Sequence, residues 1–146
     1  MAVMTFAMVV IFYAFSVSMR ILSEEMIESD VSLETHKAVE RMVSELRNSL
    51  EIVSGGSTSI IFWYRDTNGD TTREADETVS YYWTAGTVEA LFRQQGSSTI
   101  REASGIINFS LTYDNPSSIK LIKILITAKK GGTLGTLESS VKSRNL

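Results

Sequence analysis

The sequence predicts an α+β protein in which one long N-terminal helix, apolar in its first half and amphipathic in its second, packs on an antiparallel β-sheet. Three observations carry this expectation. Met1 to Met19 holds no charged side chain, Val39 to Val53 repeats apolar residues at helical spacing, and beyond Ser59 apolar residues recur at every second position.

At 1.5 Å per residue the charge-free run Met1 to Met19 spans about 28 Å as a helix, close to the roughly 30 Å hydrocarbon core of a bilayer. A cleaved secretory signal needs a basic stretch before such a run and small residues after it; Ser16, Ser18 and Arg20 make a poor cleavage site. Residues 1–22 are therefore expected to form a transmembrane helix. Glu24, Glu25, Glu28 and Asp30 follow it with only Arg20 and Lys37 basic nearby, and acidic residues weigh little in topology.

Residues 23–53 are expected to continue that helix. Val39, Val43, Leu46, Leu50 and Val53 form the stripe, with Glu40, Arg41, Glu45, Arg47 and Glu51 between them, and no proline interrupts the chain before Val53. Gly55 and Gly56 supply the stop, since glycine readily takes the left-handed conformation that ends helices.

Residues 54–146 read as an antiparallel β-domain. Ser59 to Arg65 opens it, Thr78 to Thr84 sets Val79, Tyr81 and Trp83 against polar neighbours, and Ile107, Phe109, Leu111 and Tyr113 alternate in the same way. Val88 to Arg93 is a further strand, and Ile119 to Ala128 is apolar on both faces and so expected to be covered on both. Asn68-Gly69, Asn115-Pro116 and Gly131-Gly132 supply the turns. The helical stripe is the natural cover for the sheet's apolar face.

Composition excludes much chemistry. With no cysteine there is no disulfide, thiolate metal site or thiol nucleophile, and a net charge of −3 gives no field to hold nucleic acid. His36 lies between Thr35 and Lys37 on the polar side of the helix, without partners for a triad or metal cluster. The glycines of KKGGTLGT follow their lysines and start no helix, so Gly131, Gly132 and Gly135 read as hairpin and bulge glycines. Neither a catalytic residue nor a cofactor is expected. Asp66, Asn68, Asp70 and Glu77 have the oxygen spacing of a calcium loop, but Thr71 stands where the turn glycine belongs, and a polar hairpin tip is the preferred reading. Lys120, Lys123, Lys129 and Lys130 make a basic cluster that reads as a charged strand edge.

Taken together, MAVMTFAMVVIFYAF resembles the body of a prepilin-type helix, DTNGD followed by ETVSYYW resembles a pilin-like first hairpin, IREASGIINFSLTYD the strands after it, and SVKSRNL the ending. These stretches resemble the type IV pilin-like superfamily, in particular minor pilins and minor pseudopilins of the J/W type. The resemblance implies a structural subunit, not an enzyme, that helps initiate or cap a type IV pilus or a type II secretion pseudopilus. Its partners would be other pilin or pseudopilin subunits, met through the N-terminal helix, and the inner membrane of a bacterial cell, with the β-domain extracytoplasmic and no nucleic acid bound. The family's leader and FTLIE-like segment are expected in frame upstream of Met1, and no residue here takes the role of that segment's glutamate. The alternative function is a single-pass anchored sensor or ligand-binding module.

Overall fold

The computed structural model describes residues 13, 15–19, 33–115, 119–130 and 133–142. Eight strands follow the helix of residues 33–47: β1 Glu51–Gly55, β2 Ser59–Trp63, β3 Thr78–Thr84, β4 Ala90–Gln95, β5 Ser98–Ser104, β6 Ile106–Tyr113, β7 Leu121–Lys130 and β8 Thr133–Lys142. They pair as a five-stranded antiparallel meander, β1-β2-β3-β4-β5, and a three-stranded one, β6-β7-β8.

This overturns the expected fold class. The described structure is mostly antiparallel sheet, helix is confined to residues 13, 15–19 and 33–47, and no long N-terminal helix packed on a sheet is seen. The expected continuation to Val53 fails at Asn48-Ser49. Asn48 Nδ2 donates back to Ser44 O at 2.9 Å and Ser49 Oγ to Leu46 O at 2.8 Å, so both side chains compete for the last helical carbonyls. Leu50 N–H then donates to Trp63 O at 2.8 Å and draws the chain into the ladder. Leu50 and Val53, which extend the helical spacing in sequence, are each 36% exposed. Residues 51–55 are strand β1, so the expected boundary between helix and β-domain moves from 53/54 to the turn at 48–50.

The expected span 1–22 lies mostly outside the described residues. Among those described, no helix is long and apolar enough to cross a membrane, which does not support the single-pass anchoring expected from the sequence.

What the 33–47 helix buries is a stripe of Ala38, Val39, Met42 and Leu46, centred one residue away from the expected Val43. One contiguous core joins this stripe to Ile60, Phe62 and Tyr81 of the larger sheet and to Phe109, Ile122, Ile124 and Ile126 of the smaller one. Each large side chain so buried is worth about 1.5–3 kcal/mol. The inner rings Phe62 and Tyr81 stack at 6.2 Å between centroids.

The chain crosses between sheets at Gly105, whose φ is +68° and whose carbonyl accepts Lys129 N–H at 2.7 Å. A Cβ there would lie 2.6 Å from Lys129 O, so glycine is needed for both conformation and space. The tip of the β1–β2 hairpin closes on β6: Leu111 N–H donates to Ser57 O at 2.8 Å and Tyr113 Oη to Gly56 O at 2.9 Å. Gly135, expected at a bulge, pairs regularly with Ala128 instead. Gly131 and Gly132 lie outside the described residues.

Candidate functional site

Polar groups gather in three places. The first is the connection from β2 to β3, where the calcium-loop spacing lies. Asp66 Oδ1 accepts Gly69 N–H at 2.6 Å and Asp66 Oδ2 accepts Thr71 N–H at 3.0 Å; Asp70 Oδ1 accepts Thr72 N–H at 2.7 Å, and Asn68 Oδ1 accepts Asp70 N–H at 3.0 Å. The oxygens with metal-ligand spacing are thus turned onto the loop's own amides, as nested Asx turns. Glu77 is fully buried and accepts Thr67 N–H at 2.6 Å, Thr67 Oγ1 at 2.8 Å and Trp63 Nε1 at 3.2 Å. The Thr67 bonds hold its carboxyl below the usual carboxylate range. Among the described residues no group of three or more His, Asp or Glu is placed to hold a metal. Thr71 takes φ +61°, the left-handed conformation a glycine would adopt without strain.

The second place was not foreseen. Glu45, read in sequence as a surface charge, is only 7% exposed and is held between helix and sheet. Tyr81 Oη donates to Glu45 Oε2 at 2.8 Å, Arg93 Nε lies 3.1 and 3.0 Å from the two carboxylate oxygens, and Arg93 Nη2 lies 3.0 Å from Oε1. Arg93 Nη2 also donates to Gln95 Oε1 at 2.8 Å. Arg41 reaches Glu45 at 3.4 Å and extends the network to Glu102 at 2.8 Å. Burial and the Glu45 carboxylate push the Tyr81 phenol far up, so it stays protonated and donates. With Glu45, Tyr81 and Arg93 buried and mutually bonded and Arg41 at its solvent edge, this cluster fixes helix to sheet.

The third place is a groove of about 370 Å³ on the outer face of the larger sheet, beside residues 73–75. Its floor includes Ile61, Ser80 and Gln94, one cross-strand row on β2, β3 and β4. The remaining sequence candidates stay apart from all three: His36 is exposed on the helix, and Lys120, Lys123 and Lys129 are exposed on or just before β7.

No family model, curated protein or solved structure matches this chain.

Proposed function

We propose that the protein is a non-catalytic structural subunit of a bacterial envelope filament, of the minor pilin or pseudopilin kind, with its β-domain extracytoplasmic. The observation that carries this is the way the 33–47 helix is held. Its inner face is sealed into the core by Ala38, Met42 and Leu46 and locked by the buried Glu45–Arg93 pair, while His36, Lys37, Glu40, Ser44 and Arg47 face outward. A helix fixed so firmly on one side presents its other side as a rigid surface, and in sequence it lies between the charge-free Met1–Met19 stretch and the β-body. Such a stretch is suited to packing among the apolar helices of neighbouring subunits in a membrane or filament.

The test is site-specific photo-crosslinking in bacteria carrying a pilus or type II secretion system, with the crosslinker at Lys37 or Arg47. Adducts with a subunit bearing a prepilin-type helix, in the membrane or filament fraction, support the proposal. A chain found wholly in the soluble fraction, or crosslinked to no such subunit, overturns it.

A further inference from the structure

The groove on the outer face of the larger sheet is built and chemically biased, and neither property serves the core or the helix. Its floor row, Ile61–Ser80–Gln94, offers a 36% exposed aliphatic side chain beside a hydroxyl and a primary amide. Ser80 is half-buried, and Gln94 is exposed. Two residues further along the strands on this face lie Tyr82 and Phe92, cross-strand partners whose rings stack at 5.5 Å. Trp63 and its cross-strand partner Thr78 lie at the opposite end. The surface thus alternates apolar carbon with neutral donors and acceptors.

Its wall, residues 73–76, is anchored to the sheet instead of hanging free. Ala75 O accepts Gly96 N–H at 3.2 Å and Thr78 N–H at 3.4 Å, Glu74 O accepts Thr78 Oγ1 at 2.9 Å, and Asp76 O accepts Gln95 Nε2 at 2.8 Å. A groove preformed in this way spends little of a ligand's binding energy on ordering.

Charge narrows the ligand class. Asp76 first, then burial and the carboxylates of Asp70, Glu77 and Asp66, raise the Glu74 carboxyl above its usual range, so this corner is crowded with negative charge. Arg73 offers little compensation, being paired with Glu51 at 3.4 Å. Phosphates, sulfates and other anions are repelled. A small cation gains little from exposed carboxylates in water. A molecule that fits both the field and the floor is uncharged, with C–H faces to lay against Ile61 and hydroxyls to meet Thr78, Ser80 and Gln94.

We propose that this groove is a binding site for a neutral saccharide. The proposal goes beyond the filament reading and does not depend on it. It is tested on the full chain in phosphocholine micelles, whose headgroups carry no sugar, by NMR titration with maltose, cellobiose, lactose and N,N′-diacetylchitobiose. At least one disaccharide is expected to give saturable shifts at the Ile61 methyls and the Thr78, Ser80 and Gln94 amides, with a Kd in the millimolar range. Ser80→Ala and Gln94→Ala, both on the outer face, should keep the remaining spectrum and together weaken binding about tenfold, as expected for two lost hydrogen bonds. The proposal is overturned if no disaccharide gives saturable shifts, if the shifts lie elsewhere, if the double variant binds as before, or if putrescine moves these residues while the sugars do not. Crosslinking at Lys37 or Arg47 reads a different surface, so failure there and failure here are separable.

Discussion

The buried pair between helix and sheet sets a measurable cost for losing either member. Glu45 and Arg93 side chains are 9% and 7% exposed, so removing one charge leaves the other without water to replace its partner. Breaking such a pair costs about 3–5 kcal/mol. Glu45→Gln keeps one acceptor oxygen for Arg93 or for the Tyr81 hydroxyl, which offsets about 1 kcal/mol, for a net loss of about 2–4 kcal/mol. Arg93→Met strands the carboxylate with Tyr81 and the distant Arg41 guanidinium, at 2.8 and 3.4 Å, and should cost about 3–4 kcal/mol. Glu45→Met with Arg93→Met removes both charges but leaves the buried Tyr81 hydroxyl unpaired, about 1–3 kcal/mol, and takes the Arg93 donor from the half-buried Gln95 Oε1. Glu45→Met alone should cost about 3–5 kcal/mol, so the double variant should be less damaged than the two methionine singles added, by at least about 3 kcal/mol. Urea unfolding followed by tryptophan fluorescence measures each value, and thermal scans should show Tm losses of about 2–4 °C per kcal/mol. Single variants each costing under about 1 kcal/mol, or strict additivity in the double, would show that water reaches the pair and that it does not hold the helix.

Gly105→Ala should destabilise by at least about 2 kcal/mol in the same urea assay, because alanine meets both the left-handed penalty and the Lys129 carbonyl oxygen 2.6 Å away; a loss under about 0.5 kcal/mol would mean the sheet crossover shifts freely. Thr71→Gly should raise stability by up to about 1 kcal/mol, the left-handed cost of a β-branched residue less the entropy of glycine, and a clear decrease would show that the Thr71 Oγ1 bond to Asp70 O matters more than the strain. Glu77 has a lowered folded-state pKa, so its contribution is present above the unfolded carboxylate value and is lost as pH falls through the lowered one. Tm measured from about pH 6 down to about pH 3 should therefore fall less steeply in Glu77→Gln than in the parent, from a lower start; parallel curves would contradict this role.

Period-two segments with one buried face were the legible part of the fold. Thr78 to Thr84 is β3 residue for residue, because Val79, Tyr81 and Trp83 point inward between polar neighbours. Strand β5 was reached only in part, through the pilin-like stretch IREASGIINFSLTYD, and β8 was missed, for the opposite reason. Each is an edge strand, mostly exposed, with only Ala103 and Val141 respectively fully buried, so no alternation marks them. The helix end was misplaced because Leu50 and Val53 continue a three-and-four spacing that the Asn48-Ser49 turn cancels. The oxygen spacing of residues 66–77 is legible in sequence, and in the structure those oxygens accept the loop's own amides as Asx turns. The Glu45–Arg93 pair lay beyond sequence reasoning: the two residues are 48 positions apart, and either alone looks like an ordinary surface charge. The outer groove was equally hidden, since its floor row forms only when three strands take their register.

The docked helix also sets an order of events during synthesis. The 33–47 segment leaves the ribosome before any partner exists; Tyr81 follows Glu45 by 36 residues, Arg93 by 48, and Ser104 follows Glu34 by 70. Val141, the last core residue, comes roughly 90 residues after the helix ends, about 5–20 s at ordinary elongation rates. A helix this short is marginal alone in water, so over that interval its Val39, Met42 and Leu46 stay accessible to whatever apolar surface is nearest. The nascent chain is therefore most open to chaperones, bilayers and other copies of itself before β7 appears, and slowing translation between Leu46 and Ile126 should lower the yield of folded protein more than slowing it anywhere later.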